Sequence, residues 1–226
     1  MVAGTIVFDM DGVLVEVGDS YREAIVQTVK LFSGKAISHE LIQDYKNAGG
    51  WNNDWALSRR ILSDVGVEVD YDTIVTEFNK LFFGHNGTEG LIRHERWIAE
   101  PNLLERLGSR FDLAIFTGRL RYEADVTLER FARALRFDPI ICADDVANGK
   151  PHPEGLHAIQ AARPDRPVWY LGDTVDDARS ARAAGVPFIG VAARNHLRRD
   201  EVVHLFEQEQ AIAIIDDINQ MERVLP

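Results

Sequence analysis

The chain has 226 residues, 46% of them hydrophobic, which is enough to bury a core in one large domain or two unequal ones. Its 36 Asp and Glu residues outnumber 25 Lys and Arg residues, and the net charge is −11. Proteins that bind nucleic acid or anionic membranes normally carry basic surfaces, so this charge argues against both classes of partner.

The cysteine count and the hydropathy pattern indicate a compartment. Cys142 is the single cysteine, so an internal disulfide is excluded. No apolar run reaches the length of a transmembrane helix, and the run at 5–8 is too short for a signal peptide. We therefore expect a soluble, cytoplasmic protein. No feature of the sequence assigns an oligomeric state.

The first predicted element is a buried strand at 5–8, and the next strand begins about a hundred residues later. Between them lie segments with helical spacing, with an N-cap signal at Ser38 and glycine stops at Gly66 and Gly84. These segments are 20–32, 38–47, 53–65 and 71–83. We interpret 16–95 as a helical domain inserted after the first strand.

Strands and helices alternate in the rest of the chain. Short apolar runs predict strands at 113–116, 139–142, 168–171, 188–191 and 212–215. Helical spacing predicts helices at 122–135 and 176–184. This alternation favours an α/β domain with a doubly wound parallel sheet, built from 1–15 and 96–226.

Two acidic residues follow the first strand, in the run Asp9-Met10-Asp11-Gly12. Side chains at i and i+2 of an extended chain face the same way, so both carboxylates should enter one pocket. A divalent cation would relieve their repulsion. In open α/β sheets, ligands bind beyond the carboxyl ends of the strands, where this motif lies. Taken alone, the motif is also compatible with an ordinary turn.

A second acidic run, Gly172-Asp173-Thr174-Val175-Asp176-Asp177, follows the strand at 168–171. Oxygen ligands from separate loops suit Mg²⁺, so Asp173 is a candidate ligand. An acidic residue at a helix start also stabilises the helix dipole, which accounts for Asp176 but not for Asp173.

Two further loops carry groups that could hold a phosphate. The strand at 113–116 ends in Thr117-Gly118-Arg119, where a hydroxyl and loop N–H groups can bind phosphate oxygens. Arg119 either adds a charge to the site or faces solvent. Lys150 lies in a proline-flanked loop, and its ammonium would balance the neighbouring carboxylates.

Together these motifs resemble the haloacid dehalogenase superfamily, in particular its phosphatase-like subfamily I with a helical C1-type cap, the phosphoglycolate phosphatase-like group. The matching runs occur in the family's order, at predicted strand ends, across residues 5–185. They are Asp9-Met10-Asp11-Gly12-Val13-Leu14, Thr117-Gly118-Arg119, Lys150-Pro151 and Gly172-Asp173-Thr174-Val175-Asp176-Asp177.

The resemblance implies a Mg²⁺-dependent phosphatase that acts on a small phosphomonoester. Asp9 would be the nucleophile that forms an aspartyl-phosphate, and Asp11 would protonate the leaving alcohol and then activate water. Mg²⁺ would be held by Asp9, the Asp11 backbone carbonyl and Asp173. Asp177, favoured over Asp176 by its spacing, would contact the metal through water or orient Lys150.

The resemblance also assigns phosphate binding to Thr117, Gly118 and Lys150. In the inserted domain, Trp51, Asn52, Asn53 and Asp54 form a candidate specificity loop, with Arg119 as a further candidate in the core. The alternative is that an asparagine caps the next helix and the tryptophans pack into the insertion.

The remaining residues leave other functions open. The seven histidines (39, 85, 94, 152, 157, 196 and 204) form no metal-ligand pattern. A sugar phosphomutase of the same family would use identical core residues. A dehalogenase would need neither Asp11 nor Mg²⁺. A non-catalytic binding module would be expected to lose the carboxylates that this chain keeps.

Overall fold

The predicted strands come together in one parallel sheet in the computed structural model, which describes residues 2–84 and 89–225. Strands β1 to β8 are, in chain order, Thr5–Phe8, Val15–Glu16, Arg96–Trp97, Asp112–Phe116, Ile140–Ile141, Val168–Gly172, Phe188–Val191 and Ala213–Ile215. Six of them form the sheet, in the order β5-β4-β1-β6-β7-β8, and all pairs are parallel. The predicted α/β fold with a parallel sheet is confirmed.

The helices α1 to α9 are Glu23–Ser33, His39–Ala48, Asp54–Asp64, Tyr71–Phe83, Leu103–Gly108, Arg121–Phe131, Glu154–Ala162, Val175–Ala184 and Arg199–Gln208. The first predicted helix is split, because a π-helical turn at Gly18–Arg22 precedes α1. Helix α6 ends before the predicted residue 135, since Leu135 donates to the carbonyl of Ala132 in a turn. Helices α5, α7 and α9 were not predicted.

The chain divides into two compact units. One unit contains the residues up to Val15 together with those from Trp97 onward, and the other unit is Glu16–Arg96. The short strands β2 and β3 form a separate two-stranded sheet. No helix of the described residues is both long and apolar enough to cross a membrane.

The position of β1 brings separate parts of the chain together. It pairs with β4 on one side and with β6 on the other, with Phe8 opposite Ile115 and Leu171. Asp9 continues this pairing, because its N–H donates to the carbonyl of Leu171 at 2.8 Å. The carboxyl ends of β1, β4 and β6 are therefore neighbours at one edge of the sheet.

Helices α1 to α4 form the second unit. Helix α1 contacts α3 and α4, and Tyr21, which precedes it, packs its ring against Phe78 and Phe82 of α4. Arg22 donates to Gln43 of α2 at 2.7 Å. The apolar faces of these amphipathic helices therefore pack against one another within the unit.

The aromatic core beside the sheet should dominate the stability of the first unit. Phe188 is buried, and its ring centroid is 5.3 Å from that of Phe206 and 6.1 Å from that of Tyr170. We expect Phe188→Ala to lower the free energy of unfolding by about 3–5 kcal/mol, measured by denaturant titration. Ile212→Ala, at a half-exposed site, is the control and should change it by less than about 0.5 kcal/mol. Equal losses in the two variants would contradict this assignment of the core.

Candidate active site

A buried ammonium lies between two buried carboxylates at the carboxyl edge of the sheet. The Lys150 Nζ atom is 2.8 Å from Asp9 Oδ1 and 2.7 Å from Asp177 Oδ1. All three side chains are almost fully buried. They come from the end of β1, from the loop before α7 and from the first turn of α8, so groups far apart in sequence meet in one place.

The pKa values in this cluster follow from burial and charge. The pKa of Asp9 is raised to about 7, and burial is the largest cause. The positive charge of Lys150 lowers this pKa, while the negative charges of Asp177 and Asp11 raise it further. Burial alone would lower the pKa of Lys150, but the carboxylates of Asp177 and Asp9 raise it above its ordinary value. Burial opposes ionisation of Asp177 too, yet Lys150 and the hydrogen bonds hold its pKa below the usual range. A further cation beside Asp9 would therefore stabilise its carboxylate.

Asp177 is anchored by donors on both of its oxygens. Tyr170 donates its hydroxyl to Oδ1 at 2.6 Å, while the N–H and hydroxyl of Thr174 donate to Oδ2 at 3.0 and 2.6 Å. Thr174 caps α8 in return, through its bond from the Asp177 N–H. Lys150 also contacts Oδ1, so this anchored carboxylate holds one side of the ammonium. Its neighbour Asp176 is also buried, and its Oδ1 is 4.0 Å from Arg179 Nη1.

Three carboxylates lie close enough to share a cation. Asp9, Asp173 and Asp177 each offer an oxygen, and these oxygens are within 4.8 Å of one another. Because the Asp177 oxygens already accept from protein donors, Asp9 and Asp173 are the better candidates for direct contact. Gly12 has φ +73°, and a Cβ there would lie 2.0 Å from Asp173 Oδ2. The glycine makes room for that carboxylate, and the oxygen donors fit a hard divalent cation.

A second group of possible ligands, Cys142, Asp144 and Asp145, differs in kind. Arg121 forms an ion pair with Asp145, and burial raises the pKa of Cys142 to about 12, so the thiol stays protonated. A protonated thiol is a poor metal ligand. Among the described residues, no histidine belongs to either of these two groups of possible metal ligands. His85 lies outside the described residues.

The end of β4 supplies the expected hydroxyl. Thr117 is buried, and its Oγ1 accepts from the Arg119 N–H at 3.2 Å. Because the oxygen is used as an acceptor, the hydroxyl proton can point to another acceptor such as a phosphate oxygen. Gly118, between the two, is exposed and can present its N–H.

Arg119 does not face solvent, so that alternative was wrong. Its side chain is buried, with Nε 2.8 Å and Nη2 2.6 Å from Asp11 Oδ1, and Nη1 donates to Thr127 Oγ1 at 2.6 Å. The side chain of Asp11 is one-third exposed. Neither this contact nor the roles of Tyr170 and Thr174 were predicted. Only Thr174 has a sequence signal, because Thr-x-x-Asp is close to the capping-box pattern.

Within the helical unit, most of the candidate specificity residues have partners. Asn53 caps α3 by accepting from the Ala56 N–H at 2.9 Å, as the capping alternative stated. Trp51 meets Tyr45 edge to face at 6.0 Å. Asp54 forms a largely buried ion pair with Lys46 at 2.6 Å. Asn52 is half-buried beside them. A role of these four residues in substrate recognition stays a prediction.

Comparisons with known proteins identify the family of the chain. The profile of the family described as haloacid dehalogenase-like hydrolase matches residues 6–191. The chain is 33% identical over 201 residues to a Phytophthora nicotianae protein named imidazoleglycerol-phosphate dehydratase, covering 82% of this chain but 42% of that relative. It therefore spans less than half of that protein.

Two further relatives match over most of their length. The chain is 25% identical over 204 residues to phosphoglycolate phosphatase of Salmonella typhimurium, covering 82% of this chain and 80% of that one. A solved structure described as a predicted phosphoglycolate phosphatase, from Haemophilus somnus, superposes with a TM-score of 0.75 at 19% identity, covering 98% and 97% of the two chains. The structural likeness shows a shared fold.

Metal binding can be tested without any substrate. We expect Mg²⁺ at about 100 times its Kd to stabilise the fold by ~2.7 kcal/mol, a rise in Tm of about 5–10 °C by calorimetry. Asp173→Asn should remove most of this rise, because it removes a carboxylate from the cluster. Asp144→Asn, in the second acidic group, is the control and should keep it. A full rise in Asp173→Asn would place the metal elsewhere.

The two adjacent asparagines of the helical unit allow a matched stability test. Asn53→Ala should lower the free energy of unfolding by about 0.5–2 kcal/mol, because α3 loses its N-cap. Asn52→Ala removes no cap and should be nearly neutral in the same denaturant titration. A larger loss in Asn52→Ala than in Asn53→Ala would show that the cap contributes little.

Proposed function

Because the chain belongs to the haloacid dehalogenase-like hydrolase family, we propose that it is a Mg²⁺-dependent phosphatase that hydrolyses a small phosphomonoester through an aspartyl-phosphate on Asp9. The observation that carries the proposal is the buried cluster in which Lys150 contacts both Asp9 and Asp177, with Asp173 beside them. Phosphoryl transfer depends mainly on positioning and on neutralising charge, which this cluster provides.

The proposed reaction has two steps. A carboxylate oxygen of Asp9 forms a bond to phosphorus while the ester P–O bond breaks, and Asp11 gives its proton to the leaving oxygen. Water then attacks phosphorus, the bond to Asp9 breaks, and Asp11 takes the proton of the water. The products are the alcohol and inorganic phosphate, with both aspartates restored.

The other residues hold the phosphoryl group. Lys150 contributes a fixed positive charge, and the Thr117 hydroxyl and the Gly118 N–H contribute donors to the phosphoryl oxygens. When bound by Asp9, Asp173 and the Asp11 carbonyl, Mg²⁺ would neutralise charge on the transferring group. The ammonium is oriented beforehand by Asp177, so little reorganisation is needed during the reaction.

The relatives narrow the range of substrates to be screened. One is named phosphoglycolate phosphatase and another imidazoleglycerol-phosphate dehydratase. A panel should therefore contain phosphoglycolate, sugar phosphates and phosphomonoesters with an imidazole ring, such as histidinol phosphate. We infer a cytoplasmic setting from the single cysteine. A phosphomutase, in contrast, would transfer phosphate to a sugar and release none.

Removal of the nucleophile tests the covalent route. Asp9→Asn should lower kcat/KM by ~10³-fold or more, because the amide cannot form the acyl-phosphate at a useful rate. Release of inorganic phosphate from the panel with excess Mg²⁺ is the measurement, and Asp144→Asn is the control that should keep activity. Near-normal turnover by Asp9→Asn would refute the assignment. Conversion of a sugar phosphate without phosphate release would favour the mutase.

A further inference from the structure

The contact between Arg119 and Asp11 has no counterpart in the roles assigned so far. We propose that Arg119 is a positioning residue that fixes one oxygen of the Asp11 carboxyl group, so that the other oxygen exchanges the proton with the leaving group and with water. This inference rests on the proposed function, because it concerns the proton transfer of that reaction.

The guanidinium group holds a single oxygen of Asp11. Both Nε, at 2.8 Å, and Nη2, at 2.6 Å, contact Oδ1. In the part of the chain that the structure describes, Oδ2 has no hydrogen-bond partner. Charge-assisted bonds to Oδ1 restrict rotation of the carboxyl group about its last side-chain bond. The two oxygens of Asp11 are therefore inequivalent, and Oδ2 is the one available to a substrate.

Arg119 is itself held in place on three sides. Its Nη1 donates to Thr127 Oγ1 of α6 at 2.6 Å. Its backbone N–H donates to Thr117 at 3.2 Å, and its carbonyl accepts from the Ala143 N–H at 2.9 Å. Only 1% of its side chain is exposed, against 33% for Asp11. The buried guanidinium group of Arg119 thus holds the carboxylate of Asp11, which is partly exposed to solvent.

The planar shape of the guanidinium group explains why arginine suits position 119. One guanidinium can direct two N–H groups at Asp11 and a third at Thr127, because its donors have fixed relative directions. A lysine ammonium is a compact charge on a flexible stem and cannot reproduce that geometry. The side chain therefore does more than neutralise charge, since it sets the direction in which Asp11 points.

The dependence of the rate on the leaving group can distinguish a positioning role of Arg119 from a purely structural one. As the bond between phosphorus and the leaving oxygen breaks, the proton on Asp11 Oδ2 moves to that oxygen. A poorly positioned acid hinders the departure of a basic alkoxide, whereas 4-nitrophenolate leaves without a proton. Loss of Arg119 should therefore harm alkyl phosphates more than 4-nitrophenyl phosphate. A purely structural loss would lower both by the same factor.

The experiment compares kcat/KM for a series of aryl and alkyl phosphates whose leaving groups differ in basicity. In Arg119→Met, we expect the loss on alkyl phosphates to exceed the loss on 4-nitrophenyl phosphate by about 10- to 100-fold, within the usual range for general acid catalysis. Thr127→Val removes the outer support and should give a smaller change in the same direction. Arg119→Lys should recover only part of the selectivity loss.

Arg121 offers a matched control, because it lies two residues further along, at the start of α6, and bonds instead to Asp145 and the Ile140 carbonyl. Arg121→Met should leave the dependence on the leaving group unchanged. If Arg119→Met does not fold, as judged by circular dichroism, Arg119→Lys and Thr127→Val carry the same test.

The outcomes distinguish this inference from the proposed function. Equal losses on all leaving groups in the Arg119 and Thr127 variants, with an active wild-type enzyme, would overturn the positioning role and leave the phosphatase intact. No phosphate release by the wild-type protein from any ester would overturn the proposed function and this inference with it.

Discussion

The site depends on one interaction, the sharing of a single buried ammonium by two buried carboxylates. Lys150 lies within hydrogen-bond distance of both Asp9 and Asp177, and both carboxylates are almost fully buried. Buried charges are tolerated only when paired, so removal of Lys150 would leave two buried carboxylates without a counter-charge in the core. This requirement fixes the loop before α7 and the start of α8 against the end of β1.

The charges of the whole cluster indicate what is still needed to balance them. Asp9, Asp11, Asp173 and Asp177 carry four negative charges when ionised, while Lys150 and Arg119 supply two positive ones. The two negative charges that remain equal the charge of one divalent cation. The pKa of about 7 for Asp9 expresses the same imbalance, because burial and neighbouring anions oppose its ionisation. This charge balance supports the proposed binding of a divalent cation.

The strands and the main site residues could be predicted because strong, local signals determine them. Fully apolar runs mark strands buried on both faces, and the residues after such strands must meet at one edge of the sheet. The convergence of Asp9, Lys150 and Asp177 follows from this topology. The pairing of Arg119 with Asp11 does not, because it depends on side-chain directions that no spacing in the sequence encodes. Helix α9 was missed for a similar reason, since Val202 and Phe206 are its only buried residues and give too weak a periodicity.

The different surroundings of Asp9 and Asp11 support different roles on physical grounds. Asp9 is buried beside an ammonium that keeps one of its oxygens in place, as suits a group that must meet phosphorus in a fixed direction. Asp11 is one-third exposed and is held through one oxygen only, as suits a group that must pass a proton to a leaving group and receive one from water. In the proposed reaction, two residues of the same type, two positions apart, would thus take separate tasks because the fold gives them different environments. If these tasks were exchanged, the almost fully buried Asp9 would have to exchange a proton with water, and Asp11, which contacts Arg119 and not Lys150, would have to attack phosphorus.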